Sequence, residues 1–262
     1  MKKMTAILMV MTVVLSAMTG CSPQPVENND VGKEEENKIV MYTNAEFAPF
    51  EYFEGENIVG ADVDIAKEIA KDLGKELIVE HTDFDGIIPA IKSGKAHIGA
   101  AAMTITEARQ EEVDFSIGYV TSIQNIIYKN DAELTTMEQL IGKKIGVQLG
   151  TTGDLKIDDA INLEDGALYN SGAELKTYSS AIEAAQDLLA GRVDAVVTDQ
   201  LPAEQIVVNN PELGTVEFGD ISESYGIAVK KGNKELLDSI NKTLTRLLEE
   251  GKIEEYIANH SN

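Results

Sequence analysis

An arginine stands near the start of a predicted helix within residues 101–116, AAMTITEARQEEVDFS. Arg109 follows Thr106 by three residues, and a threonine just before a helical run is a common N-cap. The N-terminal end of a helix carries partial positive charge and unpaired N–H groups, so an acidic residue is the usual choice there. We therefore expect an anion beside Arg109. The alternative is an arginine whose stem covers apolar surface while its head reaches solvent, Glu112 or Asp114.

A second charged residue, Asp199, ends the apolar run AVVTD. Residues 89–103 and 184–199 share one plan: an apolar helix, a glycine, a basic residue and a buried strand. Ligands of open α/β sheets bind at the carboxyl ends of the strands. Two similar lobes that face each other would therefore bring Thr104, Arg109 and Asp199 into one cleft. The alternative for Asp199 is an N-cap of the helix that follows it.

The elements that would position these residues alternate between strands and amphipathic helices. Residues 38–42, KIVMY, form a strand-like run, and residues 61–74 place apolar side chains at helical spacing before Gly74. A strand at 76–81, a helix at 84–94 and a strand at 96–103 follow. This alternation predicts an α/β fold with largely parallel sheets that have helices on both faces.

The N-terminus has the layout of an export signal. Lys2 and Lys3 precede an apolar run that is shorter than the roughly 20 residues of a membrane span, so residues 1–20 are predicted to be a signal peptide. Residues 21–38 are polar and contain no aromatic side chain, which predicts a disordered tether. Cys21 is the only cysteine, so an internal disulfide is excluded. It is either a lipid attachment site or lost with the signal.

Composition excludes one class of partner. The chain has 22 basic and 45 acidic residues and a formal net charge of −23, so it has no excess of cations for binding nucleic acid. It contains no tryptophan, and aromatic residues make up 5% of it, so the core must consist mainly of aliphatic side chains.

Seven segments of the chain form an ordered set: TNAEFAPFEY, VGADVDIAKEIAKDLG, DFDGIIPAIKSGK, MTITEARQEEVDFS, GKKIGVQLGTT, GRVDAVVTDQLPAE and YGIAVKKGNKELLDSIN. Together they resemble the bacterial extracytoplasmic amino-acid-binding proteins of ABC importers, which are family three of the solute-binding proteins. The resemblance runs from about Ile39 to Ile257. It implies an α/β, two-lobe, periplasmic-binding-protein-like fold joined by two crossover strands, with residues 39–120 and 223–262 in lobe 1 and residues 121–222 in lobe 2.

The resemblance also implies how a ligand is held. Arg109 would grip the α-carboxylate, since a planar guanidinium matches a carboxylate with two parallel hydrogen bonds. Asp199 would take the α-ammonium, because a buried amine requires an opposite charge. The implied ligand-binding set is Asn44, Phe47, Phe84, Ala102, Met103, Thr104, Arg109, Gln148, Thr151, Thr152 and Asp199.

The ligand side chain depends on the remaining positions. Basic-amino-acid binders of the family often have an acid where this chain has Asn44, and Gln148 is uncharged, so the sequence favours an uncharged, polar amino acid. Glu46, Glu51 and Tyr178 would change that expectation if they pointed inward. Ala102 stands where the family commonly has glycine, and its methyl group would narrow the pocket.

The expected function is that of a substrate-binding subunit that delivers an L-amino acid to an ABC permease and its ATPase, as a monomer without a cofactor, metal or catalytic residue. MTGC, residues 18–21, resembles a lipobox with Met18 in place of leucine, which implies palmitate on Cys21 and a lipoprotein anchored to the outer face of the cell membrane. The alternatives are a cyclohexadienyl-dehydratase-like enzyme on the same fold and an amino-acid sensor module. The enzyme would need a general acid or base aimed into the cleft.

Overall fold

The computed structural model of the protein describes residues 37–132, 134–219 and 222–261. The predicted signal peptide, the predicted lipidation site Cys21 and the predicted tether up to Glu36 therefore lie outside the described residues.

The described chain alternates between strands and helices. The strands are β1 (Lys38–Thr43), β2 (Glu46–Phe47), β3 (Glu51–Glu54), β4 (Asn57–Val59), β5 (Glu76–His81), β6 (Ile98–Gly99), β7 (Val113–Phe115), β8 (Val120–Ser122), β9 (Gln124–Lys129), β10 (Lys144–Gln148), β11 (Glu174–Tyr178), β12 (Ala195–Asp199), β13 (Leu213–Glu217), β14 (Glu223–Tyr225) and β15 (Ala228–Lys230). The α-helices are α1 (Ala61–Asp72), α2 (Ile87–Ser93), α3 (Glu107–Glu112), α4 (Thr152–Asn162), α5 (Ala181–Leu189), α6 (Gln200–Asn209), α7 (Lys234–Glu249) and α8 (Lys252–His260).

Two five-stranded sheets form the centres of two lobes. Their strand orders are β5-β1-β6-β15-β7 in lobe 1 and β11-β10-β12-β9-β13 in lobe 2. In each sheet the first three strands are parallel and the last two run antiparallel to their neighbours. The predicted repeat is confirmed, because β6 and β12 hold the same place and each follows a helix that stops at a left-handed glycine, Gly94 or Gly191.

One predicted strand is shorter than expected. The sequence predicts a strand over residues 96–103, but pairing is confined to β6. Beyond it the chain stays buried and turns, with Ala102 at a φ of 44°. The continuous apolar run here indicates a buried segment and not a longer strand. Hydrophobic periodicity alone cannot distinguish the two.

Aliphatic side chains pack on both faces of each sheet. In lobe 1, α1, α7 and α8 cover one face and α2 covers the other. In lobe 2, α4 covers one face, and α5 and α6 cover the other. At its carboxyl end β12 leads directly into α6, and β10 leads into α4 through a short turn, so polar side chains at these helix starts lie at this edge of the sheet.

Two crossover strands, β8 and β14, pair with each other antiparallel, with Ser122 opposite Glu223. The sequence predicts the boundaries between lobe 1 and lobe 2 at these strands, and we propose that the lobes are divided there. Within the described ranges, no helix is both long enough and apolar enough to cross a membrane.

The start of α1 is fastened to the segment before it. The N–H groups of Ala61 and Asp62 donate to the carbonyls of Pro49 and Phe50, each at 3.0 Å. Gly60 has a φ of 135°, and a Cβ there would lie 2.1 Å from the Phe50 oxygen. This close approach brings the first turn of α1 against β3 and so controls which acidic side chains meet there.

We predict that Gly60→Ala destabilises the fold by about 3 kcal/mol or more, because it adds a backbone clash to an unfavourable φ. Gly55→Ala is the matched control: its φ is 65° and no atom lies within 4 Å of where the added methyl group would be, so only conformational strain of about 1 kcal/mol is expected. Urea unfolding followed by circular dichroism measures both. Equal losses for the two variants would contradict the close approach.

Candidate functional site

A cavity with about 380 Å³ of empty space, part of it open to solvent, lies between the lobes. Every ligand-binding residue that the sequence predicts lines it, except Met103. The lining also includes Ala101, Thr198 and Glu51, which the predicted set lacks. The full lining is Asn44, Phe47, Glu51, Phe84, Ala101, Ala102, Thr104, Arg109, Gln148, Thr151, Thr152, Thr198 and Asp199.

Met103 differs from its predicted place. Its side chain is 1% exposed and packs in the apolar cluster around Ile87 and Ile91. Its carbonyl oxygen accepts a hydrogen bond from Gly226 N at 3.0 Å. Met103 therefore supports the turn that carries Ala102 and Thr104, and its side chain does not line the cavity.

Arg109 reaches the cavity from the first turn of α3. The Thr106 hydroxyl accepts a hydrogen bond from Arg109 N at 3.2 Å, which confirms the predicted N-cap. The guanidinium donates to Thr104 O at 2.7 Å and across the cleft to Gly150 O at 3.0 Å. It also lies over the Phe84 ring, with Cζ 5.2 Å from the ring centroid. Since a guanidinium has five N–H donors, others remain for a carboxylate.

The alternative interpretation of Arg109 as a solvent-facing side chain is wrong. Arg109 is 9% exposed, and the two acids considered as its partners are bound to lysines instead. Glu112 pairs with Lys92, and Asp114 pairs with Lys231. Burial lowers the pKa of Arg109, while the nearby carboxylates of Glu223 and Asp199 raise it. Arginine remains protonated in proteins, so a fixed positive charge lines the cavity.

Asp199 ends β12 at the opposite side of the cavity. It holds the N-cap position of α6, as the alternative predicts, but its side chain makes no capping hydrogen bond and lines the cavity instead. Its two carboxylate oxygens accept hydrogen bonds from Gln124 Nε2 and from the hydroxyl of buried Tyr225. Burial raises the pKa of Asp199 to about 7, although the Tyr225 hydrogen bond opposes that rise.

Glu51 brings a second carboxyl to the cavity. It is 1% exposed, and its Oε2 atom has no hydrogen-bond partner among the described residues. Burial, and then the negative charge of Asp62, raise the pKa of Glu51 well above its usual value. An unpartnered buried carboxyl oxygen is costly, so this position is suited to a hydrogen-bond donor or a cation from a ligand.

Asp62 holds the turn at Ala102 in place. It accepts hydrogen bonds from Ala102 N and from the Tyr119 hydroxyl, both at 2.8 Å. Burial raises the pKa of Asp62 to about 6, while these two hydrogen bonds lower it. In the sequence Asp62 looks like an ordinary acid in a first helical turn, so only its long-range contacts identify its role.

Polar contacts from lobe 2 close the cavity. Gln148 Nε2 donates to Asn44 Oδ1 across the cleft and to Ser179 O, at 3.0 and 3.1 Å. The Thr151 hydroxyl caps α4 by accepting from Asp154 N at 3.2 Å. The N-terminal end of α4 therefore lies at the cavity, where its N–H groups favour an anion.

The cavity combines one cation with more than one acid. Among its lining residues, Arg109 is the only basic side chain, whereas Glu51 and Asp199 are both acidic. No group of three or more His, Cys, Asp or Glu residues in the described part of the chain is arranged to hold a metal ion. The arrangement suits a small molecule that carries one carboxylate and cationic groups.

Comparison with known proteins shows the family to which the chain belongs. Residues 39–261 match the family "Bacterial extracellular solute-binding proteins, family 3". The arginine-binding extracellular protein ArtP of Bacillus subtilis (strain 168) is 33% identical over 250 residues, which cover 95% of this chain and 94% of ArtP.

Solved structures agree with the two-lobe fold. An ancestral arginine-binding protein bound to arginine aligns with a TM-score of 0.79 and 40% identity over 85% of this chain and 97% of that chain. An ancestral arginine-binding protein bound to glutamine aligns with a TM-score of 0.76 and 41% identity over 84% and 96%.

We predict that Asp199 makes the ligand-free protein less stable as the pH rises. Its raised pKa means that the folded state keeps a proton that the unfolded state releases, so stability falls between about pH 4 and pH 7. The free energy of unfolding of the wild type, relative to Asp199→Asn, should fall by up to about 4 kcal/mol over that window. Urea unfolding at a series of pH values measures it.

Asp187→Asn is the control for this titration, because its hydrogen bond from Arg192 lowers the pKa of Asp187. Its contribution to stability is lost only at acidic pH, below about 4, so this variant should follow the wild type between pH 5 and 7. A difference between wild type and Asp199→Asn that is flat with pH would mean that Asp199 ionises as an exposed carboxyl does.

Proposed function

Because the chain belongs to family 3 of the bacterial extracellular solute-binding proteins, we propose that it is the extracytoplasmic substrate-binding subunit of an ABC amino-acid importer. It captures an L-amino acid in the interlobe cavity and delivers it to a permease and its ATPase. It acts as a monomer, and palmitate on Cys21 anchors it to the outer face of the membrane. The relatives compared above are named as binding proteins and not as enzymes, which favours this role over catalysis.

The α-amino-acid group is held by opposite sides of the cavity. Arg109 binds the α-carboxylate through its free N–H groups, and the end of α4 at Thr151 and Thr152 adds N–H donors and a favourable field. Asp199 binds the α-ammonium. The positive charge of the ammonium offsets the cost of burying an ionised Asp199 carboxylate. Thr104 also lines the cavity, and its hydroxyl is a further polar partner for the α-amino-acid group.

The ligand side chain is cationic, with L-arginine as the first candidate. The observation that carries this step is buried Glu51, a cavity-lining residue whose buried Oε2 atom has no hydrogen-bond partner in the described chain. The zwitterion of an amino acid neutralises Arg109 and Asp199, and it leaves Glu51 for a further cation. Phe47 and Phe84 can pack on the flat guanidinium or its aliphatic stem. The names of ArtP and of the ancestral protein support the same choice.

An uncharged polar side chain, which the sequence favours, is the second candidate. Glu51 with its raised pKa can be protonated and can then donate to an amide oxygen, and Asn44 and Gln148 also line the cavity. One ancestral relative is described as bound to glutamine. The two candidates differ in whether the charge of the ligand side chain matters.

The first test compares L-arginine with L-citrulline, which has the same shape without the charge. We expect wild type to prefer arginine, and Glu51→Gln to weaken arginine binding by about 30-fold or more, because it removes one member of a buried charge pair. Citrulline affinity should stay within about threefold, since the introduced amide keeps a hydrogen-bonding oxygen. Titration calorimetry measures all four affinities. Since the proposed role is binding without catalysis, the ligand should be recovered unchanged.

Glu46→Gln is the matched control, because Glu46 lies on neighbouring β2 and does not line the cavity. Its affinity for arginine should equal that of the wild type. Equal wild-type affinities for arginine and citrulline would overturn the cationic choice in favour of an uncharged ligand.

The second test removes the carboxylate partner. Arg109→Ala should weaken L-arginine binding between about 30-fold and several thousandfold. It should change binding of agmatine, which lacks the carboxylate, far less. Arg192→Ala is the control, since the Arg192 side chain is 63% exposed and pairs with Asp187 outside the cavity. Circular dichroism checks folding first, and an unchanged affinity in folded Arg109→Ala would refute the proposed carboxylate site.

A further inference from the structure

We infer that Glu223 is a positioning residue that latches the closed lobes together, an inference that rests on the proposed ligand-binding function. One oxygen of its carboxylate, Oε2, accepts hydrogen bonds from Thr104 Oγ1 at 2.8 Å and from Thr152 Oγ1 at 2.7 Å. Thr104 belongs to lobe 1, and Thr152 begins α4 in lobe 2. A single atom of the crossover strand β14 therefore joins both lobes.

The backbone around Glu223 ties it to lobe 1. Glu223 pairs with Ser122 on the other crossover strand, and the carbonyl of the next residue, Ser224, accepts from Ile105 N at 2.8 Å. Tyr225 forms an isolated antiparallel β-bridge with Thr104, and its hydroxyl donates to Asp199. Glu223 therefore moves with lobe 1, and its hydrogen bond from Thr152 crosses the cleft.

Glu223 acts through the threonines rather than on the ligand. It is absent from the cavity lining, whereas Thr104 and Thr152 both line the cavity. Both hydroxyls donate their protons to Glu223 Oε2. The Thr152 oxygen already accepts from Gln124 Nε2 at 3.3 Å, whereas the lone pairs of the Thr104 hydroxyl can accept from a ligand ammonium near Asp199.

The shared oxygen makes the contact specific for the closed state. Thr104 and Thr152 lie on different lobes, so separation of the lobes must break at least one of the two hydrogen bonds. A contact that exists in only one of two states shifts the equilibrium towards that state by its own free energy. Loss of Glu223 should therefore destabilise the closed complex and leave encounter with the open cleft unchanged.

The test is stopped-flow kinetics with L-arginine as the probe. Glu223→Ala should raise the dissociation rate by about 10- to 100-fold, since hydrogen bonds to a charged group are lost, with an association rate within about threefold of wild type. Glu223→Gln keeps an acceptor oxygen and should restore part of the slow dissociation. Glu217→Ala, an exposed glutamate at the end of β13, is the matched control and should behave as wild type.

A double-mutant cycle separates the latch from a general structural effect. Thr152→Val alone should speed dissociation, but adding it to Glu223→Ala should cost little more, because the shared hydrogen bond is already absent. Additive effects, or a dissociation rate of Glu223→Ala within threefold of wild type, would overturn the latch. If Glu223→Ala does not fold, Glu223→Gln and Thr152→Val supply the same cycle.

The interlobe distance distinguishes failure of the latch from failure of the proposed function. Spin labels at exposed Lys67 and Lys176, in a Cys21→Ser background, report lobe separation by pulsed electron resonance. Wild type that binds no amino acid would refute the proposed function alone. The latch still requires Glu223→Ala to lose part of the short-distance population, and an unchanged distance distribution would overturn it.

Discussion

Burial of the Arg109 guanidinium is the constraint on which the rest of the site depends. A buried charge is tolerated only when hydrogen bonds and opposite charges surround it. Thr106 fixes the start of α3, the turn after β6 supplies Thr104 O, and lobe 2 supplies Gly150 O. Each of these partners comes from a different element. The position of the cation therefore requires both the local helix start and the approach of the second lobe.

The repeated strand order explains why the charges face each other. In each sheet the third strand of the parallel set, β6 or β12, ends at the cleft. Lobe 1 uses this edge for a turn held by Asp62, and lobe 2 uses it for Asp199. The same architecture thus supplies a backbone turn on one side and a carboxylate on the other. Recognition of two ends of one small molecule follows from this division between similar lobes.

The alternation of strands and helices, their glycine stops and the positions of Arg109 and Asp199 could be predicted, because periodicity and helix-end chemistry are local. The roles of Glu51, Asp62 and Glu223 could not be identified in this way. The sequence leaves open whether Glu51 points into the cleft, and only the packing of Gly60 against Phe50 brings it beside Asp62. Glu223 is distant in sequence from Thr104 and Thr152, and nothing in its own neighbourhood indicates that it joins them.

The excess of buried acid suggests how such a site can exist in a folded protein. Burial raises the pKa values of Glu51, Asp62 and Asp199, so protons can neutralise carboxyls that would otherwise repel one another. A ligand ammonium at Asp199 supplies the positive charge that a proton would otherwise supply, and a cationic side chain could do the same at Glu51. Ligand and proton then compete for the same carboxyl oxygens. Under the proposed function, the buried acids that are costly in the ligand-free cavity are the groups that a cationic amino acid neutralises.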